Sequence, residues 1–88
     1  MLTSELRLGD LLAISTVYGI STIVWALSRD GVMNVRVVDY LDPGDLCMCI
    51  DPDPFFKGYL IIATTNGIMG YVCDTHVTLV RRNKAKKA

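Results

Sequence analysis

The chain reads as an all-β protein on three observations. Gly, Asp, Asn and Pro recur at short intervals, and the segments between them are rich in Val, Ile, Thr, Tyr and Leu. Asn66-Gly67, the preferred pair for a tight hairpin turn, lies between two apolar runs. Pro52 and Pro54 forbid a helix through the acidic loop Asp51-Pro52-Asp53-Pro54.

The first expected strand runs from Leu11 to about Tyr18 and is closed by Gly19. The second, Ser21 to Leu27, places Ile23, Trp25 and Leu27 on one face, which reads as the core face. Ser28-Arg29-Asp30-Gly31 turns the chain into a third strand, Val32 to Tyr40, and Leu41-Asp42-Pro43-Gly44-Asp45 turns it into a fourth, Leu46 to Ile50.

The strongest local signal is the hairpin Tyr59 to Val72. A two-residue type I′ turn at Asn66-Gly67 would set Thr64 opposite Met69, Ala63 opposite Gly70 and Ile62 opposite Tyr71. The small pair Ala63 and Gly70 would then leave a flat spot for another backbone or a large side chain. Cys73-Asp74-Thr75-His76 reads as one turn of 3₁₀ helix before the last strand, Val77 to Val80.

Leu6-x-x-Gly9-Asp10-Leu11 is echoed by Leu41-x-x-Gly44-Asp45-Leu46. Each half is too small to fold as a repeat, so the echo reads as one strand-opening turn used twice.

The length of 88 residues allows one hydrophobic core and therefore one domain, residues 1–80. Residues 1–80 hold four basic and nine acidic side chains, a net charge of −5, while Arg81, Arg82, Lys84, Lys86 and Lys87 give the last eight residues +5. Residues 81–88 read as a basic, disordered tail. A hydrophobic fraction of 51% is high for so small a soluble domain and predicts self-association or another protein partner through apolar surface.

The apolar runs fall far short of the ~20 residues that cross a bilayer, so no membrane partner is expected. The segment Met1 to Arg7 lacks the basic and apolar regions of a secretory signal, which predicts a cytoplasmic protein. Three cysteines, an odd number, predict reduced thiols rather than a disulfide framework.

From Asn34 onward the pattern resembles the Src-homology-3 fold, particularly its bacterial variety. The resemblance rests on Asn34-Val35-Arg36, on Pro43-Gly44-Asp45-Leu46, and on the hairpin with Gly67-x-x-Gly70-Tyr71-Val72. It spans residues 34–80 and implies a small barrel, here with additional N-terminal strands. Eukaryotic members bind proline-rich peptides across an aromatic groove that uses a Pro and a Tyr just after this hairpin. Cys73 and His76 occupy that link here, and the chain's one Trp, Trp25, lies upstream of the resemblance. Both departures argue against proline-rich ligands. Some bacterial members anchor proteins to cell walls, a role that the missing export signal argues against.

Cys47-x-Cys49 with Cys73-x-x-His76 is a potential zinc set. Two residues apart on a strand, however, Cα atoms lie about 6.5–7 Å from each other, too far for good chelation by Cys47 and Cys49 without a bulge. A catalytic Cys with His76 as its base would need a third group to orient the imidazole, and no such group is recognisable. No cofactor and no enzymatic activity are expected. Arg81, Arg82, Lys84, Lys86 and Lys87, with Arg29, Arg36 and Trp25, form the alternative reading of a nucleic-acid contact. The favoured expectation is a non-enzymatic interaction or structural module.

Overall fold

A computed structural model of the chain describes residues 6–27, 36–54 and 57–83. They form seven strands: β1 (Leu11–Ile14), β2 (Thr22–Trp25), β3 (Val37–Leu41), β4 (Leu46–Asp51), β5 (Tyr59–Thr64), β6 (Met69–Cys73) and β7 (Val77–Arg81), with a 3₁₀ turn at Asp74–His76 before β7. The expected turn at Ser28-Arg29-Asp30-Gly31 and the segment Val32 to Val35 lie outside the described residues, as do Lys84, Lys86 and Lys87. No helix among the described residues is long and apolar enough to cross a membrane.

All strands join one antiparallel sheet in the order β3-β2-β6-β5-β4-β1-β7. At about 4.8 Å per strand a flat sheet of this size would be about 29 Å wide. Yet one buried cluster takes Leu12 and Ile14 from β1, Val24 from β2, Leu41 from β3, Cys47 and Cys49 from β4, Leu60 and Ile62 from β5, Val72 from β6 and Val77 from β7. The sheet therefore curls around a single core. The barrel is not closed, because β3 and β7 remain edge strands with no ladder between them.

The echoed motif forms the same turn twice. Asp10 N–H donates to the Arg7 carbonyl at 3.0 Å and Asp45 N–H to the Asp42 carbonyl at 2.9 Å. The Asp10 carboxylate accepts from Arg7 N–H and the Asp45 carboxylate from Asp42 N–H, each at 2.8 Å. Gly9 and Gly44 supply the positive φ, 87° and 90°, that the turn requires. Leu6 and Leu41 are both buried at its start.

The β5–β6 hairpin departs from its expected register by one residue. Ala63 pairs with Met69, Ile62 with Gly70 and Ile61 with Tyr71. A type I′ turn needs positive φ at both central residues, but only Gly67 has it, at 83°. The loop is instead the three residues Thr65-Asn66-Gly67, closed by Thr64 N–H to the Ile68 carbonyl at 2.8 Å. The Thr64 hydroxyl oxygen accepts from the N–H groups of Asn66 and Ile68, both at 3.2 Å, and so favours the longer loop.

Gly70 therefore lies on the core face opposite Ile62, while Ala63 lies on the outward face beside Met69. The expected close approach occurs at Gly70 alone, where an added Cβ would fall within 2.4 Å of the Trp25 carbonyl oxygen and 2.7 Å of Val24 Cγ1. This lets β2 pack against β6, where Trp25 pairs with Tyr71.

Two further expectations are corrected. β1 ends at Ile14, and residues 15–21 form an irregular crossing to β2. On β2 the buried side chains are Thr22 and Val24, whereas Ile23 and Trp25 are only half-buried on the outward face. Trp25 is thus not a core residue.

Gly70→Ala is expected to destabilise the protein by about 2 kcal/mol or more in urea unfolding, the scale of overpacking at a tight site. Ala63→Val should be nearly neutral, since its side chain has room outward. Equal losses for the two would contradict the observed register.

Candidate functional site

The crossing at residues 15–21, the outward side of β2 and the 3₁₀ turn enclose a groove of about 310 Å³. Ile20, Ile23, Trp25, Tyr59, Cys73 and His76 line it together with the exposed Ser21 and the buried Thr22. Local structure explains each placement. The alternation of β2 turns Ile23 and Trp25 outward. Tyr59 opens β5 directly opposite Cys73, the last residue of β6, so the two share a face. His76 ends the 3₁₀ turn and is returned toward β2.

His76 is fixed from three sides. Its Nδ1 lies 3.3 Å from the buried Thr22 hydroxyl. Its ring packs against Tyr18 with centroids 4.9 Å apart and planes tilted by 45°. Its carbonyl accepts from Ser15 N–H at 2.8 Å. The Thr22 contact bridges the open side of the curled sheet, because β2 and β7 are separated in strand order by four other strands. Above the groove the crossing exposes large apolar side chains, Val17 at 84%, Ile20 at 60% and Tyr18 at 51%.

The zinc set is not assembled. Cys47 and Cys49 are buried core residues of β4, while Cys73 and His76 line the outward groove. Regular pairing of Cys47 with Thr64, Met48 with Ala63 and Cys49 with Ile62 leaves no bulge between the two core thiols; the irregularity in β4 comes after Cys49. Among the described residues no three His, Cys, Asp or Glu side chains are grouped to hold a metal ion. All three cysteines are free thiols. Burial pushes Cys47 up to about 12, with the neighbouring Cys49 adding to the effect. Burial pushes Cys49 up to about 11, with the charges of Asp10 and Asp51 adding to it. Both stay protonated at neutral pH and are poor nucleophiles. Cys73 is half-buried, and its Sγ lies 3.2 Å from the Thr75 hydroxyl.

The basic tail is divided by the fold. Arg81 is the last residue of β7, and Arg82 and Asn83 fold back on the first turn. Asp10, fully buried, receives Arg82 Nη1 at 3.3 Å and Asn83 N–H at 2.7 Å, and Asn83 Nδ2 donates to the Leu8 carbonyl at 2.9 Å. The folded body thus extends three residues past the expected boundary at Val80. Arg36 is exposed just before β3, away from Arg81 in strand order, and Arg29 lies outside the described residues.

The groove is not apparent in the sequence because Ile20, Trp25, Tyr59 and His76 are scattered along the chain. One signal was available: each stands in a loop, at a strand end or in the link, where the fold gathers loops together. No protein family, curated protein or solved structure matches the chain.

Two outcomes follow for the thiols. A disulfide reagent at neutral pH is expected to modify Cys73 in the folded protein and all three cysteines only after unfolding; rapid native labelling of Cys47 or Cys49 would contradict their burial. Stability should fall as pH rises, because an unfolded thiol ionises near pH 8.5 while the folded Cys47 and Cys49 ionise only at about 12 and 11. Between those limits the unfolded state holds fewer protons, so ∂ΔG/∂pH is negative. Urea unfolding of Cys47→Ala and Cys49→Ala should show a shallower decline across pH 9 to 11 than the parent chain.

Proposed function

We propose that the chain is a non-enzymatic protein-interaction module that receives an extended peptide segment in the groove between residues 15–21, Trp25, Tyr59 and His76. The observation that carries this reading is the lining itself: exposed or half-buried aromatic and aliphatic side chains held on an ordered frame, with the hydroxyl residues Ser21 and Thr22 among them. Flat aromatic surfaces separated by short apolar steps suit an extended segment that offers apolar side chains to the walls.

The Src-homology-3 reading is supported by the hairpin, the 3₁₀ turn and the short last strand in sequence. It is also supported by a curled sheet whose strands share one core. The groove sits beside the same link in which that family places its Pro and Tyr. Cys73 and His76 at those positions set this groove apart, and Trp25 and Tyr59 supply aromatic surface from other strands. A segment richer in apolar residues than in Arg or Lys is the better match, since the lining is apolar.

Trp25 is the chain's one Trp and therefore a direct reporter. Titration with extended apolar decapeptides is expected to shift its emission saturably, with dissociation constants in the micromolar range. Tyr59→Ala should weaken binding at least tenfold, a loss of about 1.4 kcal/mol, without altering the far-ultraviolet spectrum. An unchanged emission and unchanged amide resonances along the groove at millimolar peptide would refute the proposal.

A further inference from the structure

We infer that the outward face of β1, β4 and β5 docks a second copy of this chain about a two-fold axis. This rests on reading the chain as an interaction module, but it uses a face separate from the groove.

The face is an apolar stripe set by register. Leu11 pairs with Met48, Met48 with Ala63 and Ala63 with Met69, while Ala13 pairs with Leu46 one step along. Partners in antiparallel strands share a face, so these side chains form one surface. Leu46, Met48 and Met69 are 43%, 46% and 45% exposed. Leu11, Leu46, Met48 and Ala63 together line a shallow, almost wholly apolar depression.

The two ends of that stripe carry opposite charge. At one end Arg81, paired with Leu11 on β7, joins Leu11 and Met48 around a second depression. At the other end Asp39 and Asp45 join Leu46 around a third, beside the Thr65-Asn66 loop. Rotation by 180° about an axis that lies in the plane of the face and crosses the stripe at right angles lays its apolar middle on that of the second copy and sets opposite ends together. Arg81 of one copy then meets Asp45 of the other, twice by symmetry. A partner of one charge sign would match only one end, whereas a second copy matches both. Two copies also bury the Met and Leu side chains that a soluble monomer would leave facing water.

Sedimentation equilibrium of the intact chain is expected to show a monomer–dimer equilibrium, with Met48→Glu shifting it to monomer. Arg81→Asp and Asp45→Arg should each raise the dimer dissociation constant at least tenfold. Mixed in equal amounts they should restore assembly, because the two reversed charges then face each other in one contact and the native Arg81 faces the native Asp45 in the other. Native mass spectrometry with one variant isotope-labelled reads this heterodimer directly. Asp39→Arg serves as a second acidic-end reversal that leaves the Asp45 turn bond intact, and circular dichroism verifies folding of each variant. A chain that stays monomeric at several hundred micromolar would overturn the inference. So would a dimer that survives Met48→Glu but is lost in Tyr59→Ala, which would assign assembly to the groove. Peptide binding by a monomeric Met48→Glu variant would show that groove and dimer face fail separately.

Discussion

The joint between β1 and β4 is the constraint on which the other strands depend, and it is built from one turn used reciprocally. Gly9 N–H donates to the Cys49 carbonyl at 2.7 Å and Cys49 N–H to the Asp10 carbonyl at 2.9 Å. The mirror set joins Gly44 N–H to the Ile14 carbonyl and Ile14 N–H to the Asp45 carbonyl, both at 2.8 Å. Each turn thus closes the far end of the other strand, about a local two-fold that passes between Leu12 and Cys47, themselves a register pair. This fixes which residues point inward. Leu12 and Cys47 enter the core while Leu11, Leu46 and Met48 must face out. A slip of one residue would invert both sets and break both turns together, so register here is over-determined. From this joint β4 leads to β5, β6, β2 and β3, and β1 leads to β7.

The two turns are chemically alike but differently used. The Asp45 carboxylate is exposed and accepts only from its own turn among the contacts described, whereas the Asp10 carboxylate is buried and also holds Arg82 and Asn83. A buried carboxylate is tolerated only when its oxygens are satisfied, and here the chain's own end supplies the donors. Pinning residues 82–83 in this way extends β7 along β1 and sets Arg81 beside Leu11. At the opposite corner His76 performs a comparable task across the open edge, tying Thr22 and Tyr18 to the end of the 3₁₀ turn. Of the two, the His76–Thr22 contact spans the open side of the sheet, whereas the Asp10 contacts fasten β7 to its neighbour β1.

The all-β class, the turns around Gly9 and Gly44 and the 3₁₀ link were legible because each depends on local chemistry: a positive φ at Gly, an Asp that bonds two or three residues back, a short polar link between apolar runs. The hairpin register was not, because Asn66-Gly67 is compatible with two loops. The Thr64 hydroxyl, three positions before Gly67, selects the longer one. That one-residue difference separated Gly70 from its expected pair Ala63, set it opposite Ile62 on the core face, and left the close approach of β2 to Gly70 alone. The burial of β2 was hidden for a related reason. Ile23 and Trp25 are more apolar than Thr22, so composition favours them as core, but the sheet's curl turns Thr22 inward to meet His76. Tertiary position overrides side-chain preference at such half-buried strands.

The surplus of apolar residues, apparent from composition alone, acquires a meaning only once inner and outer faces are separated. The cluster uses alternate residues of every strand and leaves Ile23, Trp25, Tyr59, Leu11, Leu46 and Met48 outside it. These are not scattered singly, which would require no explanation. They fall into two groups, a groove with aromatic walls at one side of the sheet and a stripe with oppositely charged ends at another. A groove with ordered walls favours a narrow, extended occupant, while a shallow stripe of opposite charge at its two ends favours a broad surface with the same pattern reversed. One apolar excess is thus divided between two outward surfaces of different shape. A linear reading sees the excess but not its division, because inner and outer faces separate only once the register of each strand is set.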